Sequence, residues 1–184
     1  MSTKKKFNAD RILGISAMLI SLLTLAICIY QTDIMRVQSK LSVKPRLDFT
    51  TNQGGNDTII IFQEFIENKG LGPAIIDSIY FKFEGNQYAL SPENFMKENL
   101  PRLLEFGTLS QHATMGKGMT LSHGESMCIY TYKLHHSKLD SIFAYLDVDM
   151  DSDDPFPIEV IYTSMYEDEF WKVSSEVSEP ESLN

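Results

Sequence analysis

Residues 12–30 read ILGISAMLISLLTLAICIY, nineteen positions without a charge, with Arg11 directly before them and Asp33 the first charge after. A helix rises 1.5 Å per residue, so this stretch spans roughly 28 Å, close to the hydrocarbon thickness of a bilayer. Ahead of it stands a basic tail, residues 1–11, with Lys4, Lys5, Lys6 and Arg11. A secretory signal begins the same way, but its apolar core runs about 7–15 residues and closes in small residues at the cleavage site. Here the run closes in Ile27-Cys28-Ile29-Tyr30-Gln31, bulky where a signal peptidase needs small groups. Leu25-Ala26-Ile27 ahead of Cys28 likewise misses the small residue that a lipid-modified cysteine requires directly before it. The stretch is therefore expected to be an uncleaved transmembrane helix. No later segment has twelve uncharged apolar residues, which makes the expected protein single-pass.

The surroundings of the anchor fix less. Four basic residues precede it (Lys4, Lys5, Lys6, Arg11) and four follow (Arg36, Lys40, Lys44, Arg46), so the basic flanks that set orientation are balanced. The side of the membrane that holds the rest of the chain is left undecided. Residues 31–44 keep a helical pattern through Ile34, Met35, Val37 and Leu41 and read as a juxtamembrane amphipathic helix and linker, stopped by Pro45. Within the anchor, Gly14, Ala17 and Ser21 lie at helical spacing. Such small faces let helices approach closely, so self-association through the anchor is one expected partnership beside the lipid bilayer itself.

Charge divides sharply along the chain. Residues 1–46 carry a net +6 and residues 47–184 a net −15. The basic part suits anionic headgroups, whereas the acidic part is repelled from them and from nucleic acid, whose direct binding is not expected. The only two cysteines are Cys28 in the anchor and Cys128 beyond it, so no intramolecular disulfide is expected.

From residue 45 the pattern changes to strands, and residues 45–173 are expected to form one β domain. Residues 58–68 (TIIIFQEFIEN) are β-branched and aromatic and run into a glycine-rich turn. Residues 74–83 alternate, with Ile75, Ile79, Phe81 and Phe83 assigned to one face and Ser78, Tyr80 and Lys82 to the other. Gly85-Asn86 reads as the tight turn of a hairpin. Ser91-Pro92-Glu93 is a helix start, with a hydroxyl cap, a first-turn proline and an acid against the helix dipole. Pro101 should cut that helix short. Residues 107–117 read as a loop, 125–133, 142–150 and 157–165 as strands, and 170–173 as the last strand. Residues 174–184, acidic and serine-rich, are expected to be disordered. Many short strands between turns, with one helical insertion, favour a mainly β fold: an antiparallel β-sandwich behind an N-terminal transmembrane α-helix.

Asn68-Lys69-Gly70-Leu71-Gly72-Pro73-Ala74 is the most recognisable piece of that domain. This N-x-G-x-G-P-A turn between two strands resembles one found in uncharacterised bacterial single-pass membrane proteins that carry an N-terminal anchor and an immunoglobulin-like β domain. The anchor followed by Tyr30-Gln31-Thr32, and Tyr162-Thr163-Ser164-Met165-Tyr166 leading to Trp171, are similar as well. The resemblance implies an immunoglobulin-like sandwich held at a cell (inner or cytoplasmic) membrane. Its motifs are structural and bring no catalytic residue with them.

Candidate sites are few. Asp147, Asp149, Asp151 and Asp153 would share one face of a continuing strand, and calcium favours clustered carboxylates. They do not form an EF-hand: counted from Asp149, position 6 is Asp154 instead of glycine and position 12 is Val160 instead of glutamate. A solvated, charge-protected strand end explains the same pattern. His112, His123, His135 and His136 with Cys128 match no zinc spacing. Gly116-Lys117-Gly118 lacks the earlier glycine and the following hydroxyl of a phosphate loop. Tyr162, Tyr166 and Trp171 could form an aromatic interaction surface, or simply pack the sandwich. No catalytic residue, cofactor or confident metal site emerges. The sequence reads as a non-catalytic, membrane-anchored interaction module for a protein or small ligand. A second reading is a signalling or defence effector whose cytoplasmic β domain senses a ligand and rearranges an oligomer of transmembrane helices.

Overall fold

Thirty-four consecutive residues without a proline form a single helix, α1 (Ala9–Ser42). Among the residues that the computed structural model describes (9–147, 157–177 and 179–183), it is the one helix long and apolar enough to cross a membrane, and none of its apolar window is buried. At 1.5 Å per residue it runs about 51 Å, and the twelve residues after Tyr30 continue it for roughly 18 Å. Its hydroxyls turn back on its own backbone. Ser21 Oγ donates to Ala17 O at 2.9 Å, Thr24 Oγ1 to Ile20 O at 2.8 Å and Thr32 Oγ1 to Cys28 O at 2.8 Å. Hydroxyls bonded back in this way would not be left unsatisfied in a hydrocarbon environment.

The chain divides into two compact units, Met1–Ser42 and Val43–Asn184. The second is built on two antiparallel sheets. One has the order β1 (Leu47–Gly55), β2 (Ile59–Asn68), β7 (Ser126–His135), β5 (Gly107–His112). The other runs β10 (Glu181–Ser182), β9 (Phe170–Ser174), β8 (Ile158–Thr163), β3 (Ala74–Phe83), β4 (Asn86–Ala89), and β6 (Thr120–Leu121) pairs with the start of β3. Both contribute to one buried core, Leu47, Ile66, Ile129 and Leu134 from the first and Ile76, Phe81, Val160, Tyr162 and Trp171 from the second. Helices α2 (Pro92–Asn99) and α3 (Leu103–Phe106) add Phe95, Met96 and Leu103, and Phe95 stacks on Phe81 with ring centroids 4.5 Å apart.

The structure differs from the sequence expectations at six places. In β3 the register slips between Ile76 and Ser78, leaving Asp77 as an extra residue that is ion-paired to Lys117 at 2.6 Å. This bulge reverses the alternation, so the core receives Ala74 and Ile76 before it and Ile79 and Phe81 after it, and Ile75 is not on the core face. The β3–β4 turn is Glu84-Gly85, both at positive φ, and Asn86 already pairs with Phe83. Ser91 precedes α2 but makes no side-chain cap. The expected loop after Gly107 begins as strand β5. The expected strand from Ile142 is helix α4 (Leu139–Leu146), closed by Asp147 in the left-handed conformation. The tail expected to be disordered contains β10, which pairs Glu181 with Lys172 and Ser182 with Trp171.

One turn ties these parts together. Asn68, fully buried, uses all four of its side-chain hydrogen-bonding positions. Its Nδ2 donates to Gly72 O (2.8 Å) and Leu121 O (2.9 Å), and its Oδ1 accepts from Gly70 N (3.0 Å) and Arg46 N (3.2 Å). The segment that follows the anchor lies against this turn: Lys69 N donates to Arg46 O and Leu71 N to Lys44 O. The approach is so close that a Cβ on Gly70 would sit 2.2 Å from Arg46 N, and one on Gly72 2.0 Å from Val43 O. Glycine is required here for room. Nearby, the Tyr162 hydroxyl of the six-stranded sheet accepts from Leu47 N of the four-stranded one at 3.3 Å.

At about 1 kcal/mol net per bond, with buried partners left unsatisfied, Asn68→Ala should cost about 3–5 kcal/mol. The check is the urea midpoint of the full chain in detergent micelles. A loss under about 1 kcal/mol would show that the turn does not depend on this side chain. Gly72→Ala, which drives a methyl group into the Val43 carbonyl, should lower the midpoint further.

Candidate functional site

Of the four aspartates picked out by their alternation, Asp147 is the C-terminal cap of α4, and Asp149, Asp151 and Asp153 lie outside the described residues. The strand that would have aligned them is not formed at Asp147. Among the described residues no three His, Cys, Asp or Glu side chains converge as a metal-holding group. The histidines are dispersed: His112 Nε2 faces Glu93 at 3.3 Å, His123 Nδ1 donates to Gly70 O, and His135 Nδ1 hydrogen-bonds Ser137.

The aromatic trio does not form a surface. Tyr162 and Trp171 pair across β8 and β9 with ring centroids 5.8 Å apart, and both are core residues. Tyr166 alone is exposed, in the turn after β8. Gly14, Ala17 and Ser21 are exposed on α1, and a Cβ on Gly14 would meet nothing within 4 Å among the described residues.

What the structure brings together instead is a tip. Ile75 pairs with Thr163, so the turn before β3 and the turn after β8 occupy the same end of the six-stranded sheet. Each projects apolar side chains into solvent: Leu71 is 66% exposed, Met165 55% and Tyr166 45%. The chain enters the β unit at this end. Lys44 places its ammonium 5.3 Å from the Trp171 ring centroid, and Lys69 pairs with Asp48 at 2.7 Å. The signal for Leu71 was present in the sequence, a lone apolar residue between two glycines in an otherwise polar turn.

A second constellation lies on the outer face of the same sheet. Glu159 is nearly buried and receives Tyr80 Oη at 2.8 Å and the Lys82 ammonium, with Lys172 at 3.8 Å. Burial alone would raise the Glu159 carboxyl, but the hydrogen bonds from Lys82 and Tyr80 and the charges of Lys172 and Lys82 outweigh it and hold it below the ordinary carboxylate value. Burial, then the bond to Glu159, pushes the Tyr80 hydroxyl up to about 12. Beside this network an open depression of about 370 Å³ is lined by Lys82, Phe83, Glu84, Gly85, Gln87 and Pro157. Glu159 is committed to its cations and offers no free base. Cys128 is only half-buried, and its thiol faces Tyr130 O at 3.5 Å and Thr131 Oγ1 at 3.4 Å. No protein-family model, curated protein or solved structure matches the chain.

A depressed carboxyl stabilises the fold above its unfolded pKa, and that stability disappears as pH falls through the folded value. The melting temperature of the native chain should therefore drop on acidification below about pH 4.3, with Glu159→Gln following a shallower acid limb. Parallel acid limbs would remove Glu159 from the account. At the alkaline side, burial pushes Tyr132 and Tyr162 up to about 12 as well. These phenols favour the fold while neutral, so their contribution is complete below about pH 10 and lost as pH rises toward 12. Ultraviolet titration of tyrosinate should show Tyr80, Tyr132 and Tyr162 ionising only as pH approaches 12, in one step with unfolding.

Proposed function

We propose that this chain is a single-pass, membrane-anchored binding module whose β domain captures a protein or small ligand at the tip formed by Leu71, Met165 and Tyr166. The observation that carries this reading is the exposure of those apolar side chains on two turns at one end of a well-packed sheet. Clustered exposed apolar groups on a soluble unit mark contact surfaces more often than accidents of packing. The uninterrupted apolar helix supports attachment to a cell (inner or cytoplasmic) membrane. A net charge of −15 over residues 47–184 disfavours anionic lipid and nucleic acid as what the tip meets. The turn at 68–74 and the two antiparallel sheets around one core support an immunoglobulin-like sandwich. The reading is non-catalytic because the most conspicuous buried polar side chains, Asn68 and Glu159, are engaged in holding the fold.

A photoreactive side chain placed at position 71 or 166 of the full chain, in intact cells, should yield a discrete adduct with one partner. The same group at Gln87, at the far end of the sheet, should not. Equal capture at all three positions, or lipid adducts alone, would sink the tip as a binding surface. Turnover by the purified chain that a single substitution abolishes would overturn the non-catalytic reading.

A further inference from the structure

Beyond Tyr30, lipid no longer explains why α1 should show an apolar face, yet it does. Of residues 31–42, Ile34, Val37 and Leu41 are 39%, 56% and 58% exposed, and Met35 is the only other apolar residue. Counting back by sevens from Leu41 gives Ile34, Ile27, Ile20 and Leu13. The positions three after these last four give Val37, Tyr30, Leu23 and Ser16, the place three after Leu41 lying beyond the helix end at Ser42. One heptad seam therefore runs in a single register along the whole helix. Eight of its nine positions are aliphatic or aromatic. Every polar residue in 31–42 lies off it.

We propose that a second copy of this chain covers the seam, forming a parallel, in-register two-stranded coiled coil that begins in the membrane and continues to Leu41. The proposal rests on the anchor reading and names its partner. A repeat of 3.5 residues is what a helix needs to keep one stripe against another helix, and isoleucine at the first position with leucine at the fourth, as at Ile20 and Leu23, favours two strands. The partner must run in the same direction on both sides of the membrane surface, a condition that another copy meets by construction. Bilayer surface is a poor cover for Ile34, Val37 and Leu41, because α1 has no glycine after Gly14 and no proline to bend it down onto the headgroups. Charge agrees. Across a parallel pair Asp33 faces Gln38 of the second copy, whose amide can donate to it, and no like charges oppose each other. The seam is also distinct from the small-residue face: Gly14, Ala17, Ser21 and Thr24 continue into Gln31, Met35 and Gln38, a mostly polar line outside the membrane.

Disulfide trapping in native membranes tests this in the full chain with Cys28→Ser and Cys128→Ser. Single cysteines at Ile34, Val37 and Leu41 report the seam, Thr32 and Ser39 the opposite face, and Met35 and Gln38 the small-residue face. Mild oxidation should give a dimer on the order of tenfold faster at Val37→Cys and Leu41→Cys than at Ser39→Cys, because only facing cysteines meet the distance limits of a disulfide. Equal rates everywhere, preference for Met35→Cys or Gln38→Cys, a product of other than twice the chain mass, or no dimer at any seam position would each overturn the proposal. An alkaline carbonate wash separates the two levels. Release of the chain from membranes would defeat the anchor reading, whereas a retained chain without seam-specific trapping defeats the coiled coil alone.

Discussion

The β unit depends on the saturation of one buried amide. Asn68 draws together three backbone segments: residue 46 ahead of β1, its own turn at Gly70 and Gly72, and β6 at Leu121. A buried amide with any of its positions empty is costly, so the geometry is nearly all-or-none. The two glycines follow from it, because the same amide pulls residues 43–46 into contact with residues 70–72. Proline at position 73 then sets the exit into β3. The turn between β2 and β3 is thus a clasp closed by the four hydrogen bonds of one side chain.

The clasp also fixes where the β unit begins. Lys44 and Arg46 are held by backbone bonds to Leu71 and Lys69, so the hydrogen-bonded structure of this unit starts within its first residues, before β1.

Much of this was legible in the sequence. The long apolar helix was marked by the absence of charge over nineteen residues, and β3 and the short α2 appear where alternation and proline placed them. The failures have physical causes. Leu139, Ile142, Phe143 and Leu146 fit a helical stripe as well as Ile142, Ala144 and Leu146 fit an alternating one, and tertiary packing chose the helix, leaving Ala144 exposed. The bulge at Asp77 is invisible to a pattern of period two, because a single extra residue puts Ile75, before it, on the opposite face from Ile79 and Phe81 after it. Tyr162 and Trp171 were visible as aromatics, but their burial depends on partners brought in by β1 and β9. Glu159 could not be singled out at all: its cations come from β3 and β9, which flank β8 only once the sheet has formed.

Trp171 is the sole tryptophan of the chain, and it lies beneath the ammonium of Lys44 and beside Tyr162. The only strong fluorophore of the chain thus lies where residue 44 meets the paired strands β8 and β9. Indole emission is sensitive to a nearby cation and to hydration, so the colour and intensity of Trp171 report whether Lys44 keeps its place over the ring.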